Sequence, residues 1–159
     1  MSATVGKPAP DFTLPGTDGT DPGRHDYALS AYRGQVVVLV FYPGDNTPVC
    51  TRQLNAYTQD IDSFTDAGAQ VLAISPQSVD SHEEFSCKQG GFAFPLLADG
   101  DKAIGEAYGI LGPLGFYRRS AFVVDEAGTI RYAHRAVAGL TFRSTDELVK
   151  AVQAARSGG

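Results

Sequence analysis

The sequence contains no tryptophan, one methionine and only two cysteines in 159 residues. Two cysteines cannot form a disulfide framework, and without histidines they are too few for a protein-only zinc site. In a reducing compartment they rest as thiols, and any bridge between them is transient. Neither end carries a long apolar run, and Met1 to Gly6 lack the basic and apolar regions of a signal peptide. The default expectation is therefore a cytoplasmic protein. There is no block of Lys and Arg: 13 basic residues face 18 acidic ones, for a formal net charge of -5. That balance argues against nucleic acid or an anionic membrane as partner. G-x-G-x-x-G and P-loop signatures are absent, and no motif for a metal, flavin or haem is visible, so no cofactor is expected.

What is present describes an ordinary globular chain. A hydrophobic fraction of 43% against 19% charged residues, at this length, suffices for one domain with a full core, spanning 1–159. Residues 10 to 33, rich in Gly, Pro, Asp and Thr, read as an N-terminal hairpin and loop. Val36 to Phe41 is apolar at every position, the pattern of a strand buried on both faces. From Thr47 to about Asp66, the recurrence of Leu54, Tyr57, Ile61 and Phe64 predicts one helix with an apolar face. Val71 to Ser75 reads as a second buried strand. Asp80 or Ser81 is positioned to cap a short helix that carries Cys87 and stops at Gly90-Gly91. Ile104, Ala107 and Tyr108 mark another short helix. Ala121 to Asp125 and Thr129 to His134 read as strands joined by Glu126-Ala127-Gly128. Ser144 to Glu147 opens a final helix with Leu148, Val152 and Ala155 inward. Alternating strands and helices predict an α/β fold, with a mixed or parallel sheet covered on both faces.

Cys50 ends the run from Val36 through Tyr42-Pro43-Gly44-Asp45 to Thr47-Pro48-Val49. A thiol there lies in the first turn of a helix. A free thiol titrates near about 8.5, and the thiolate is the nucleophile. Unpaired N–H groups at a helix start favour the anion, and a nearby guanidinium favours it more. Thr47 is either a plain N-cap or a hydroxyl for the thiolate or a substrate. Pro48 fits the first turn, where its missing N–H costs nothing. Pro43 closes the strand and shapes one wall of a pocket, or is an ordinary turn proline.

Pro43, Thr47 and Cys50 fall on the spacing P-x-x-x-T-x-x-C, and here the chain resembles the peroxiredoxins of the bacterioferritin-comigratory (PrxQ-type) branch. The resemblance extends to Val5–Leu14, which looks like the family's N-terminal strand, to Leu29–Gly34, and to Phe94–Asp99. It implies a thioredoxin-like fold: a central mixed sheet, helices on both faces and an N-terminal β-hairpin extension. It also implies a thiol peroxidase in which Cys50 attacks hydrogen peroxide or an organic hydroperoxide and becomes a sulfenic acid. The pattern Arg119-Ser120-Ala121-Phe122-Val123-Val124-Asp125 resembles the segment bearing the family's arginine. Arg118 and Arg119 would point to opposite faces along a strand, and the family pattern favours Arg119 as the partner of Cys50. Gln53, one turn on, is a candidate to orient that arginine.

The branch's common resolving cysteine, five positions after the first, is replaced by Asn55. Cys87 is the remaining candidate, in a region similar to the helix that carries it in another subset. With Phe85 inward, Cys87 faces out. The implied cycle ends in a Cys50–Cys87 disulfide recycled by thioredoxin or a similar dithiol protein. The alternatives are a one-cysteine peroxidase with Cys87 a bystander, or a binding or chaperone-like protein that has lost the chemistry. A thioredoxin-like reductase needs C-x-x-C, and the chain has Cys50-Thr51-Arg52-Gln53. A cysteine hydrolase needs a positioned histidine base; His25, His82 and His134 are scattered, the last two read as surface or core-edge residues. The branch implies a monomer or weak homodimer. Val49 stands where the branch often has glycine.

Overall fold

The structure, a computed structural model, describes residues 4–18, 24–45, 47–112, 115–136 and 142–157. Strands β1 (Thr13–Thr17) and β2 (Arg24–Ala28) form the expected antiparallel hairpin. β3 (Val36–Phe41) follows, then helices α1 (Pro48–Gln59) and α2 (Ile61–Asp66), and β4 (Ala69–Ser75). Next come α3 (Val79–Lys88), β5 (Leu96–Ala98), α4 (Ala103–Ala107), β6 (Ser120–Val124), β7 (Ile130–Arg135) and α5 (Thr145–Ser157). The seven strands make one mixed sheet in the order β2-β1-β5-β4-β3-β6-β7. β3 runs parallel to β4 and antiparallel to β6. No helix among the described residues is long and apolar enough to cross a membrane.

All six residues of β3 are buried, and their alternation splits the core in two. Val36, Val38 and Val40 face a layer built with Leu54 and Tyr57 of α1, Phe64 of α2, Phe85 of α3 and Leu148 and Val152 of α5. Val37, Leu39 and Phe41 face Phe12, Leu29, Tyr108, Ile110, Tyr117 and Phe122. A strand with period-two side chains and apolar residues throughout has no solvent face, which is why it lies inside the sheet.

Four local expectations are corrected. The helix foreseen from Thr47 to Asp66 is two helices, broken at Asp60 (φ −99°, ψ 17°). The Asp60 carboxylate there accepts a 2.8 Å hydrogen bond from the hydroxyl of Thr145, a contact that local periodicity cannot encode. The cap of α3 is Ser78, whose hydroxyl accepts from the Ser81 N–H at 3.1 Å; neither Asp80 nor Ser81 caps it. Among the described residues the first strand starts at Thr13, and upstream an isolated bridge joins Pro8 to Thr129. His82, read as a surface or core-edge residue, is fully buried.

Candidate active site

β3 ends at Phe41, and Tyr42 still bonds to it as an extension, its N–H donating to the Ile74 carbonyl of the neighbouring strand. Pro43 cannot donate to a ladder, and the chain turns away through Gly44 and Asp45. Thr47 is the N-cap of α1, with Pro48 in the first turn. Cys50 is thus the third residue of α1, and its side chain is fully buried. The first intrahelical bond runs from the Thr51 N–H to the Thr47 carbonyl. Helix geometry therefore leaves the Val49 and Cys50 N–H groups pointing out of the helix end, free for an anion.

Arg119 precedes β6 and is 4% exposed. Its Nη2 donates to Cys50 Sγ at 3.2 Å, and its Nη1 donates to Gln53 Oε1 at 2.5 Å. The fork of the guanidinium thus spans the sulfur and the amide that orients it. Behind Gln53, its Nε2 reaches the Tyr57 hydroxyl at 3.5 Å, and that hydroxyl donates to the Arg143 carbonyl at 2.5 Å. Burial pushes the Tyr57 phenol up to about 12, so it remains a donor at working pH. Arg118 turns the other way, as alternation demands; its Nε donates to the Ala136 carbonyl at 3.0 Å.

The Thr47 side chain makes no cap hydrogen bond. Its hydroxyl instead donates to the Gly44 carbonyl at 3.1 Å. A hydroxyl has one proton to give, so at rest the Thr47 oxygen has only lone pairs left to offer, as an acceptor. Pro43 is partly buried, and its carbonyl accepts from Gln77 Nε2 at 3.4 Å. Cys87 does not join this group. It lies exposed on α3 while Phe85 is buried, and both cysteines are free thiols.

Sequence reasoning missed Arg143. A small cleft beside Arg119 is lined by Gln53, His134, Phe142 and Arg143. Burial, together with the Arg143 guanidinium, holds His134 below its ordinary value. That keeps the imidazole neutral around pH 7, so the two guanidiniums are the cations of this cleft. The Arg143 signal was invisible because it sits one residue before a helix-opening Ser-Thr-Asp-Glu run, where a basic residue carries no pattern of its own.

Comparison with known proteins places the chain in a family. A family model described as AhpC/TSA matches residues 5–133. Peroxiredoxin-2 of Rattus norvegicus is 38% identical over 161 aligned residues, covering 96% of this chain and 79% of the relative. Peroxiredoxin Bcp of Xanthomonas campestris is 36% identical over 142 residues, covering 85% and 86%. Among solved structures, the reduced 2-Cys peroxiredoxin of Plasmodium vivax superposes with a TM-score of 0.87 at 27% identity, covering 97% of each chain. The sheet with helices on both faces is accordingly the thioredoxin-like fold, and the chain belongs to the AhpC/TSA family, that of the peroxiredoxins.

Proposed function

We propose that the chain is a two-cysteine peroxidase for hydrogen peroxide and organic hydroperoxides, with Cys50 as nucleophile and Cys87 as its resolving thiol. The observation that carries the first half is the Arg119 guanidinium 3.2 Å from a sulfur in the first turn of α1. In the first step the Cys50 thiolate attacks one peroxide oxygen. An S–O bond forms, the O–O bond breaks, and hydroxide leaves and takes up a proton to become water. The sulfur is oxidised by two electrons to a sulfenic acid. Arg119 and the Val49 and Cys50 N–H groups offset the charge that develops on the departing oxygen. Thr47, an acceptor at rest, takes the hydrogen bond of the incoming peroxide O–H, and Pro43 forms the pocket wall.

In the second step the Cys87 thiol attacks the sulfenic sulfur, a disulfide forms and water leaves. A dithiol protein such as thioredoxin then exchanges with that disulfide and becomes oxidised itself. Exposure of Cys87 and the glycine pair that follows its helix support this reading. Gly90 and Gly91 both have left-handed φ values, 80° and 95°, so the C-terminal end of α3 is built on residues that unwind at little steric cost. The resemblance to the PrxQ-type branch supports a monomer or weak homodimer, and the reducible pair suits a reducing compartment such as the cytoplasm.

Peroxide consumption by the wild type and by Cys50→Ser tests the first half; equal rates would sink it. Intact mass after one equivalent of peroxide tests the second. A loss of two hydrogens that maps to a Cys50–Cys87 peptide supports resolution, and a stable sulfenic acid on Cys50 alone assigns Cys87 as a bystander.

A further inference from the structure

A second buried polar group lies beside the site and has no role in the chemistry above. Asp45 and His82, 37 positions apart, meet with Oδ2 and Nδ1 at 2.7 Å. Their side chains are 2% and 0% exposed. The other imidazole nitrogen, Nε2, lies 2.9 Å from the Leu97 carbonyl. A carbonyl only accepts, so Nε2 carries the proton of that contact, and one further proton is shared between Nδ1 and the Asp45 carboxyl. Asp45 also accepts from the Tyr42 hydroxyl at 2.8 Å and from the Ser81 hydroxyl at 2.6 Å. Burial and the neighbouring Asp45 hold the Tyr42 phenol far above its ordinary value, so it stays a donor.

Gln77 grips the backbone of the same turn. Its Oε1 accepts from the Asp45 N–H at 3.1 Å and from the Ser75 hydroxyl at 2.6 Å, and its Nε2 donates to the Pro43 carbonyl. Gly44 between them packs against the same side chain, so that an added Cβ would lie 3.5 Å from it. Its carbonyl is the one that holds the Thr47 hydroxyl. Pro43, Gly44 and Asp45 are therefore clamped from two sides, by Gln77 and by the first turns of α3.

A buried hydrogen-bonded pair is directional, and removing one partner leaves the other unsatisfied. Here the directional contacts converge on the turn Pro43-Gly44-Asp45, shortly before Thr47 caps the helix whose first turn carries Cys50. Misplacing a reacting group by about 1 Å can cost about a hundredfold in rate. We propose that Asp45, held by His82, and Gln77 are positioning residues for the peroxide reaction: they fix the turn that sets Pro43 and Thr47 over the Cys50 sulfur. The proposal rests on the peroxidase reading of Cys50.

The test compares two reactions of the same sulfur in the purified full chain. One is the second-order reaction with hydrogen peroxide, followed by stopped flow. The other is alkylation of Cys50 by iodoacetamide, followed by peptide mass so that the exposed Cys87 is counted separately; it needs the thiolate and none of the peroxide-orienting groups. Asp45→Asn keeps the size of the side chain and replaces the carboxyl that faces His82 by an amide. Gln77→Ala leaves Asp45 and His82 in place, and it decides the matter alone if Asp45→Asn fails to fold. The expected result, in each folded variant, is a peroxide constant lower by about tenfold or more, with alkylation unchanged or faster. Peroxide constants within about twofold of wild type would overturn the proposal, as would a parallel fall in both reactions, since that reports a damaged thiolate. A wild type that alkylates but does not react with peroxide refutes the peroxidase reading itself and the positioning role with it.

Discussion

At the scale of single residues, the site depends on a guanidinium that does two jobs at once. Arg119 holds Cys50 with one nitrogen and Gln53 with the other. A lysine places one compact charge and cannot span both. Arg119→Ala is expected to slow the peroxide reaction by about a hundredfold or more, the usual cost of removing a donor from a developing anion. Arg119→Lys should recover only part of that loss; stopped-flow rates decide. A second residue, Asp125, is a stability element. Burial alone would raise its carboxyl, but the Thr129 N–H, the Arg131 guanidinium and the Ala127 N–H outweigh burial and hold it below its ordinary value. Its contribution is complete above about pH 4 and is lost as pH falls through the lowered folded value. Asp125→Asn should cost about 1–3 kcal/mol at neutral pH, and the gap in melting temperature between the two proteins should close in acid.

Among the elements, α3 is held unevenly. Its first turns are fixed by the Ser78 cap, by Ser81 and His82 on Asp45, and by Arg24, which pairs with Asp80 and Glu83. Its last turn, with Cys87, is held by Phe85, by the buried Ser86, whose hydroxyl accepts from the Phe92 N–H, and by a side-chain link to α1, from Asn55 Nδ2 to Gln89 Oε1 at 2.9 Å. A hydrogen bond of this kind contributes about 1 kcal/mol net. Asn55→Ala should therefore speed formation of the Cys50–Cys87 disulfide several-fold while leaving the first oxidation step unchanged; quenched-flow mass analysis separates the two. The elements also differ in how far the sequence alone revealed them. β3 was legible because six apolar residues in a row admit few other readings, and Cys50 because strand, turn proline and helix start lie within one short run. The break at Asp60 was not, since Leu54, Tyr57, Ile61 and Phe64 keep helical spacing across it and the partner hydroxyl is 85 positions away. Burial of His82 was equally hidden: an imidazole enters a core only when partners await it, and Asp45 and Leu97 come from other segments.

At the scale of the whole molecule, the sheet is a wall shared by two apolar layers. Leu39 belongs to one and Leu54 to the other, and neither has exposed surface. Leu39→Ala and Leu54→Ala should each cost about 2–5 kcal/mol. Because β3 contributes to both layers, each variant should shift the midpoint of one and the same urea transition. Two separable transitions in either variant would mean that the layers melt independently. The complete burial of Cys50 has its own consequence at this scale: it sorts reaction partners by size. A molecule of two oxygens needs only a brief gap about as wide as a water, whereas a folded reductant needs sulfur on the outside of the chain. On the proposed cycle, the buried Cys50 would meet the small oxidant and the exposed Cys87 would meet the bulky reductant.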